Sequence, residues 1–314
     1  MIPFHPPTLA DRPRVCALLE AEGIPLCDYS FPALFCWQGA YGFQIAELGE
    51  RLLIRLRSSL GPAYLWPAGE GDPAPALAAL TEDAHAQGEP LRLIALGRYH
   101  HNWLEAAWPR RFVFEDARDG ADYLYSVEKL ATLRGKRLQA KRNHLHRFDD
   151  ACPGWTAAPF GAADLADCLA MDRAWYEEAK VRETPGSLTS LGDEHRALRL
   201  ALEHWKELGL EGVVLRWRGE VIAFSLGAML TDEVFDVHFE RARGDIQGSY
   251  AAVNRAFAQQ ILATRPEVRY LDREDDMGVP GLRKAKLSYQ PDYLEESLSA
   301  VETAWSGDRA PTGK

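Results

Sequence analysis

One order of secondary-structure elements is predicted twice along the chain, and this duplication constrains the fold more than any other feature. Hydrophobic periodicity predicts helix, three strands, helix, strand, helix and strand in each half. In the first half these elements fall at 9–22, 43–48, 52–56, 63–66, 75–87, 91–96, 101–108 and 112–115, with a short extra helix at 31–37. In the second half, two helices at 164–180 and 193–208 come first, and three strands at 213–217, 221–229 and 234–241 follow them. A helix at 249–263, a strand at 268–272, a helix at 280–289 and a final extended segment complete this half.

No residue-level repeat accompanies this order, so the duplication is one of architecture. We therefore expect an α/β (α+β) protein of two tandem domains, each with a mixed, mostly antiparallel sheet flanked by helices. The predicted boundaries are an N-terminal domain at 1–120, a basic connecting segment at 121–150 and a C-terminal domain at 151–314 that carries the active site.

Composition limits the classes of protein that fit. The 314 residues are 46% hydrophobic, enough for two cores, and the net charge of −10 argues against a protein that coats nucleic acid. The longest apolar run, 221–230, is far shorter than the roughly 20 residues of a membrane span, and we expect no transmembrane segment and no signal peptide. The five scattered cysteines include no CxxC pair, which indicates reduced thiols in a cytoplasmic protein. No histidine or cysteine spacing predicts a metal site.

The segment 234–261 is predicted to run from a strand through a glycine-containing loop into a helix. Asp236, His238 and Glu240 alternate along the strand and should therefore share one face. Exposed amides at a helix N-terminus, beside arginines, form a site for an anion such as phosphate. An ordinary tight turn between strand and helix is the alternative. The anion-binding candidates are Arg241, Arg243, Gly244, Gly248 and Ser249, the last as the predicted N-cap.

Positive charge is concentrated in the connecting segment. Between residues 129 and 147 there are seven lysines and arginines and no acidic residue. Such a run is either a solvated helix face or a site for phosphate, a lipid headgroup or an RNA backbone. Histidines among the cations favour binding, because they can hydrogen-bond to a ligand. The binding candidates are Lys136, Lys141, Arg142 and His144.

The element order and three sequence segments resemble known protein families. The element order, with an anion-binding loop after the third strand, resembles the GCN5-related N-acyltransferase fold. The strings LCDYSFPALFCW at 26–37, DYLYSVEKLATLRGKRLQAKRNHLHRF at 122–148 and DREDDMGVPGLRKAKLSYQP at 272–291 resemble a bacterial family related to the C-terminal domain of phosphatidylglycerol lysyltransferases. The resemblance covers nearly the whole chain and implies two tandem acyl-CoA N-acyltransferase-like domains.

The resemblance also implies kinship with enzymes that move an aminoacyl group from tRNA to an amine or hydroxyl. This sequence departs from the family pattern in two respects. Lysyltransferases that act on lipid carry a large membrane-spanning part, which this sequence lacks. The acyl-coenzyme A loop has the form Q/R-x-x-G-x-G/A, whereas here Gly244 follows Arg241 in register but the next glycine, Gly248, comes two residues late. Coenzyme A binding is therefore not assured.

Acyl transfer requires a base, a stabiliser of the tetrahedral oxyanion and a cationic cradle for the donor. Glu240 is the preferred base because it lies nearest the loop, with His238 and Asp236 as further candidates; pairing of this face with Arg241 and Arg243 is the alternative. Tyr289 is the candidate general acid, and a buried structural tyrosine is its alternative. Lys284 and Lys286 are added as anion-binding candidates, and on a helix only Lys286 would share the face of Tyr289.

The leading functional hypothesis is an acyl- or aminoacyltransferase that uses coenzyme A thioester or aminoacyl-tRNA as donor and a small amine or hydroxyl as acceptor. A non-catalytic module that binds an anionic ligand is the rival, and weak peripheral contact with anionic lipid is a third possibility. The loop at 67–72 in the first half is acidic. We therefore expect the N-terminal domain to have lost donor binding.

Overall fold

Two seven-stranded sheets organise the computed structural model, which describes residues 2–180 and 191–303. Helix α1 (Arg12–Glu22) opens the first half, and α2 (Phe31–Cys36) and α3 (Gln38–Tyr41) follow it. The remaining elements of this half are β1 (Gln44–Leu48), β2 (Arg51–Ser58), β3 (Gly61–Tyr64), β4 (Ala68–Gly69), α4 (Ala74–Ala86), β5 (Arg92–Leu96), α5 (Arg98–Ala107) and β6 (Phe112–Asp116).

The second half begins at the segment predicted to be a connector. It contains β7 (Asp122–Ser126), α6 (Val127–Thr132), α7 (Gln139–Ala151), β8 (Thr156–Pro159), α8 (Leu165–Lys180), α9 (Leu191–Glu203), β9 (Glu211–Trp217), β10 (Glu220–Met229), β11 (Val234–Ala242), α10 (Ser249–Thr264), β12 (Tyr270–Asp272), α11 (Pro280–Leu287), β13 (Tyr293–Glu295) and β14 (Leu298–Glu302). Short 3₁₀ segments cover Leu9–Asp11, Cys27–Tyr29, Arg118–Gly120, Lys136–Leu138 and Ala162–Asp164.

The two sheets repeat one topology. The first has the order β1-β2-β3-β5-β14-β6, with β4 paired to β2, and the second has the order β8-β9-β10-β11-β12-β7-β13. In both, an antiparallel three-stranded meander is followed by a parallel strand and then by two antiparallel strands. The predicted duplication of a mixed, mostly antiparallel sheet flanked by helices is confirmed.

Each sheet receives one interior strand from a distant part of the chain. Strand β14, near the C-terminus, pairs with both β5 and β6 in the first sheet. Strand β7 pairs with both β12 and β13 in the second sheet. The sheets therefore cross the predicted domain boundaries, because 121–150 supplies β7 and two helices to the second sheet and its core, and 151–314 supplies β14 to the first sheet.

The central strands explain why the elements form where the sequence predicts. Residues 221–228 of β10 are all buried, as a strand covered on both faces requires. Helix α10 packs Val253, Phe257 and Ile261 into the same core, at the predicted helical spacing. The predicted N-cap Ser249 is wrong by one residue: the N-cap is Gly248, whose φ of 87° lies in the left-handed region, and Ser249 begins the helix.

Candidate active site

The candidate site lies where β11 and β12 separate. Their parallel pairing covers only Val234–Asp236 against Tyr270–Asp272, yet β11 continues to Ala242. Beyond Asp236, the side chains of His238 and Glu240 therefore meet the loop that follows β12 rather than a strand. The predicted alternation along β11 places these side chains on one face, but that face is buried rather than solvated.

Glu240 is held by an arginine that the sequence analysis did not single out. Its carboxylate accepts a hydrogen bond from Arg273 at 3.1 Å, and both side chains are about 15% exposed. The second carboxylate oxygen, Oε2, is buried and makes no hydrogen bond of ordinary geometry among the described residues, although the side chain of Asn254 interacts with the carboxylate and lowers its pKa. Burial raises the pKa of Glu240, and Arg273 opposes that shift. A buried carboxylate with a raised pKa is suited to accept a proton.

Tyr289 contacts two cations, one of which is the arginine that pairs with Glu240. The ammonium of Lys141 is 3.7 Å from its ring centroid, and the guanidinium of Arg273 is 5.0 Å from it. Burial raises the pKa of Tyr289 to about 12. Burial, assisted by Arg273 and opposed by Glu240, lowers the pKa of Lys141 to about 8. The site therefore combines a carboxylate, a phenol and two cations, of which Lys141 lies about a hundred residues or more before the other three in the sequence.

A buried group of carboxylates forms the other end of the cleft. Asp122 on β7, Asp236 on β11 and Asp272 on β12 are at most 1% exposed. Burial raises the pKa of Asp272 to about 8 and holds the pKa values of Asp122 and Asp236 well above the usual range. Both oxygens of Asp236 have no hydrogen-bond partner within residues 2–180 and 191–303, whereas the carboxyl group of Asp272 interacts with that of Asp122. Buried oxygens like those of Asp236 are rare in folded proteins and point to a bound group.

The first half of the chain closes this acidic end. The backbone amide of Cys27 donates a 2.7 Å hydrogen bond to Asp122. The neighbouring Asp28 has its pKa raised to about 6, chiefly by burial and secondly by Glu274. The stacking of Trp37 on Phe239, with ring centroids 6.2 Å apart, joins the two halves nearby. The site is therefore built from both halves, although we predicted it within the second.

Lys286 orders the loop after β12. Its ammonium donates hydrogen bonds to the backbone carbonyls of Arg273, Glu274 and Asp275, and its side chain is buried. These bonds use all three ammonium donors, so Lys286 as an anion-binding residue would have to give up a carbonyl. Lys284, two residues earlier, is exposed, as expected for residues that do not share a helix face.

A buried carboxylate also holds the loop after β12 in place. Asp276 is buried and accepts hydrogen bonds from Arg283, Tyr123 and Arg118. Burial alone would raise the pKa of Asp276, but the bonds from Arg283 and Tyr123 outweigh it and hold the pKa below the ordinary value. Only the acidic run after a predicted strand could have suggested this anchor from the sequence.

The predicted anion loop after β11 carries its own counter-charges. Arg241 is buried and pairs with Asp172 at 3.0 Å and Glu194 at 2.7 Å. Arg243 pairs with Asp245 at 2.7 Å and Glu220 at 3.3 Å. A phosphate at this loop would compete with these carboxylates. Anion binding by the two arginines stays a prediction that these pairs weaken.

The glycines and serine of this loop have different surroundings. Gly244 is exposed, and a Cβ there would meet nothing within 4 Å. A Cβ on Gly248 would collide with the backbone carbonyl of His144 and press on Phe148, both in α7. The Ser249 hydroxyl donates a 2.8 Å hydrogen bond to the carbonyl of Arg243. Tight packing of α10 on α7 accounts for Gly248 without a ligand.

The basic segment is only partly available to a ligand. Lys129 pairs with Asp292 at 2.6 Å, and Arg142 donates to the backbone carbonyls of Leu133 and Gly135. His144 is half-buried. Exposed cations of this segment remain at Arg134, Lys136, Arg137 and Arg147.

The corresponding loop of the first half is occupied by the chain itself. The carboxylate of Glu22 accepts hydrogen bonds from the amide of Gly69 at 3.0 Å, from Trp66 at 3.1 Å and from Arg51 at 2.9 Å. The side chain of Arg51 also donates to the carbonyls of Pro67 and Gly71. These internal bonds support the prediction that the N-terminal domain does not bind a donor.

One group of side chains could hold a metal ion. Donor atoms of Asp236, His238 and Glu274 all lie within 4.8 Å of one another. The sequence analysis did not predict this group, because Glu274 lies far from β11 in the sequence. No described helix is long and apolar enough to cross a membrane.

Comparison with known proteins decides the family. A model described as phosphatidylglycerol lysyltransferase, C-terminal, matches residues 24–300. The chain belongs to the phosphatidylglycerol lysyltransferase C-terminal family. The predicted resemblance is thereby confirmed.

Solved structures agree with this family. A conserved protein of unknown function from Bacteroides thetaiotaomicron is 36% identical, with a TM-score of 0.89 over 96% of this chain and 100% of that one. L-PGS from Bacillus licheniformis has a TM-score of 0.66 at 16% identity, over 94% of this chain and 93% of that one. FemX has a TM-score of 0.58 at 8% identity, over 94% and 96%. The last two likenesses show a shared fold.

A curated relative covers less of the chain. An uncharacterized protein from Mycoplasmoides gallisepticum is 24% identical over 198 residues, which are 61% of this chain and 58% of that protein. The aligned region therefore spans a little over half of the relative's length.

Proposed function

We propose that this chain is an aminoacyltransferase that moves an aminoacyl group from tRNA to a small amine or hydroxyl acceptor in the cleft between β11 and the loop after β12. The observation that carries the proposal is the convergence of Glu240, Arg273, Lys141 and Tyr289 in one largely buried cluster. The family name, which refers to a lysyltransferase, supports aminoacyl transfer as the reaction class.

The roles follow from the contacts. Glu240 accepts the proton of the attacking amine or hydroxyl through its second oxygen, Oε2. A bond forms between the nucleophile and the acyl carbon, and Arg273 and Lys141 stabilise the oxyanion of the tetrahedral intermediate. The ester bond to the donor then breaks, and Tyr289 gives its proton to the departing oxygen. Burial raises the pKa of Tyr289 to about 12, so the phenol is protonated at neutral pH.

The charge distribution favours tRNA over coenzyme A as the donor. Coenzyme A would place its pyrophosphate at the loop after β11, where Arg241 and Arg243 are already paired with carboxylates. A polyanionic donor can instead use the exposed cations Lys136, Arg137 and Arg147 near the start and middle of α7. His238 and Asp236 lie at the acidic end, away from the pair formed by Glu240 and Arg273, and we assign them no proton-transfer step.

A transfer assay tests the proposal. The purified chain is incubated with a mixture of labelled aminoacyl-tRNAs, or with labelled acetyl-coenzyme A, in the presence of small amines, alcohols and an anionic lipid extract. We expect label to leave tRNA and enter one acceptor class, with a rate at least about 100-fold lower in Glu240→Gln. The matched control is Glu233→Gln, because Glu233 is an exposed carboxylate paired with Arg269 at the start of the same strand.

Two results would contradict the proposal. Transfer from acetyl-coenzyme A alone would identify the donor class as coenzyme A thioesters. Saturable tRNA binding without turnover, unaffected by Glu240→Gln, would favour a non-catalytic module that binds an anionic ligand. Flotation with anionic vesicles at low salt tests the separate prediction of peripheral membrane contact.

A further inference from the structure

Three side chains at the acidic end of the cleft converge on one point. The Nδ1 atom of His238 lies 3.2 Å from Oδ2 of Asp236 and 3.3 Å from Oε1 of Glu274. The Asp236 side chain is fully buried and that of His238 is 2% exposed. Neither oxygen of Asp236, nor Nε2 of His238, has a hydrogen-bond partner in the described part of the chain.

The spacing of these donor atoms can be compared with the ligand spacing around a metal ion and around an ammonium. Around a metal ion with ligand bonds of roughly 2.1 Å, tetrahedral ligand atoms lie about 3.4 Å apart. Around an ammonium with hydrogen bonds of roughly 2.8 Å, tetrahedral acceptors lie about 4.6 Å apart. The separations of 3.2 and 3.3 Å are compatible with a shared metal ion, and in its absence they are direct imidazole–carboxylate contacts, with Nδ1 of His238 hydrogen-bonded to Oε1 of Glu274.

Nearby cations do not neutralise the carboxylates. The ammonium of Lys286 donates to three backbone carbonyls, and the guanidinium of Arg273 pairs with Glu240. Asp122 and Asp272 add further carboxyl groups that are almost completely buried. Burial favours the protonated form of these carboxyls, and a bound dication would stabilise the ionised form that metal binding requires.

The ligands are also held in place before a metal arrives. Asp236 and His238 project from β11, where Asp236 pairs with Ala228 of β10 and His238 lies at a shift in the register of that pairing. The backbone amide of Glu274 donates to Asp272 at 2.8 Å, and the carbonyl of Glu274 accepts from Lys286 at 3.0 Å. Glu274 has a φ of 54°, an uncommon conformation for glutamate, which these bonds maintain.

We propose that Asp236, His238 and Glu274 bind one divalent transition-metal ion of the Zn²⁺ or Mn²⁺ class through two carboxylates and one imidazole, with a position left for water or substrate. One nitrogen and two oxygen ligands suit these ions, and the imidazole disfavours Mg²⁺. This site goes beyond the proposed transfer reaction and does not depend on it.

Metal binding to the full chain tests the site directly. After treatment with a chelator, the protein is titrated with Zn²⁺, Mn²⁺ and Mg²⁺ by calorimetry, and bound metal is counted after dialysis. We expect one Zn²⁺ or Mn²⁺ per chain and much weaker binding of Mg²⁺. His238→Gln and Glu274→Gln should each lower the affinity by more than about tenfold.

A matched control separates this site from adventitious binding. His195 lies 2.6 Å from Asp172 and is another imidazole–carboxylate pair. His195→Gln should leave the stoichiometry and affinity unchanged. Glu274 is 28% exposed, so Glu274→Gln should keep the fold, which circular dichroism checks for every variant.

Two outcomes would overturn the metal site. The first is equal metal binding by wild type, His238→Gln and Glu274→Gln. The second is an absence of stoichiometric binding together with nuclear magnetic resonance evidence that His238 carries a proton shared with the two carboxylates. Neither outcome depends on whether the chain transfers an aminoacyl group.

Discussion

The ammonium of Lys141, on α7, lies 3.7 Å from the centroid of the Tyr289 ring, just after α11. This contact joins the basic segment to the C-terminal motif and defines one wall of the cleft. Lys141 is therefore partly buried, unlike the exposed cations of the same segment, and this burial lowers its pKa to about 8.

Stability should respond to the titration of Lys141. The folded-state pKa of about 8 is lower than the ordinary value of 10.5, so the unfolded chain binds more protons between these two values. The contribution of this group to the free energy of unfolding should therefore rise as pH increases from about 8 to 10.5. Denaturant unfolding of wild type and Lys141→Met measures it. An identical slope in both proteins across that window would contradict the assignment.

Tyr289 should affect turnover more than binding. Tyr289→Phe removes the proton that we assign to the departing donor and keeps the ring that contacts Lys141 and Arg273. We expect kcat to fall by about 100-fold with little change in KM. Tyr293→Phe is the control, since Tyr293 lies in β13 and packs on Tyr270. A fall in affinity without a fall in kcat would make Tyr289 a binding residue.

Lys286 should stabilise the fold by ordering the loop after β12. Lys286→Met would leave the carbonyls of Arg273, Glu274 and Asp275 without their ammonium partner. We expect a loss of roughly 3 kcal/mol in the free energy of unfolding. Lys284→Met, at an exposed position of the same helix, should change it by less than about 0.5 kcal/mol. Equal stability of the two variants would refute the role.

The two glycines of the loop after β11 should differ in their tolerance of a side chain. Gly248→Ala should cost about 2 kcal/mol of stability, because the new Cβ meets the His144 carbonyl and φ is 87°. Gly244→Ala should be nearly neutral, because nothing lies within 4 Å of its Cβ position. Thermal unfolding of both variants measures the difference. The interpretation fails if Gly244→Ala is the more damaging change.

Strand β14 should link the stability of the first half to the C-terminal region. Ala300 is fully buried between β5 and β6, so Ala300→Asp would place an unpaired charge in the first sheet. We expect faster amide hydrogen exchange in β5 and β6, although the substitution lies some 200 residues away in sequence. Ser299→Asp, a half-buried neighbour, is the milder control. Unchanged exchange in β5 would contradict the pairing of this strand.

Local patterns predicted most of the elements. The strands of both meanders and helices α4, α8 and α10 lie within a few residues of the predicted ranges, because their apolar periodicity is strong. The short strands β4 and β8 were missed, since pieces of two and four residues carry little periodicity, and β7 was missed within the predicted connecting segment. The predicted connecting segment at 121–150 contains two helices rather than one basic unit, because Leu133 takes a left-handed conformation and ends the first.

Some features of the candidate site could likewise be predicted from the sequence, and others could not. The sequence by itself determined the element order, the family strings and the alternation of Asp236, His238 and Glu240, since these depend on neighbouring residues. Only the tertiary structure decided that Arg273 pairs with Glu240, that Glu274 reaches His238 and that β7 and β14 enter distant sheets. Those contacts depend on which buried charges and open strand edges find each other across the folded chain, and no local pattern encodes that choice.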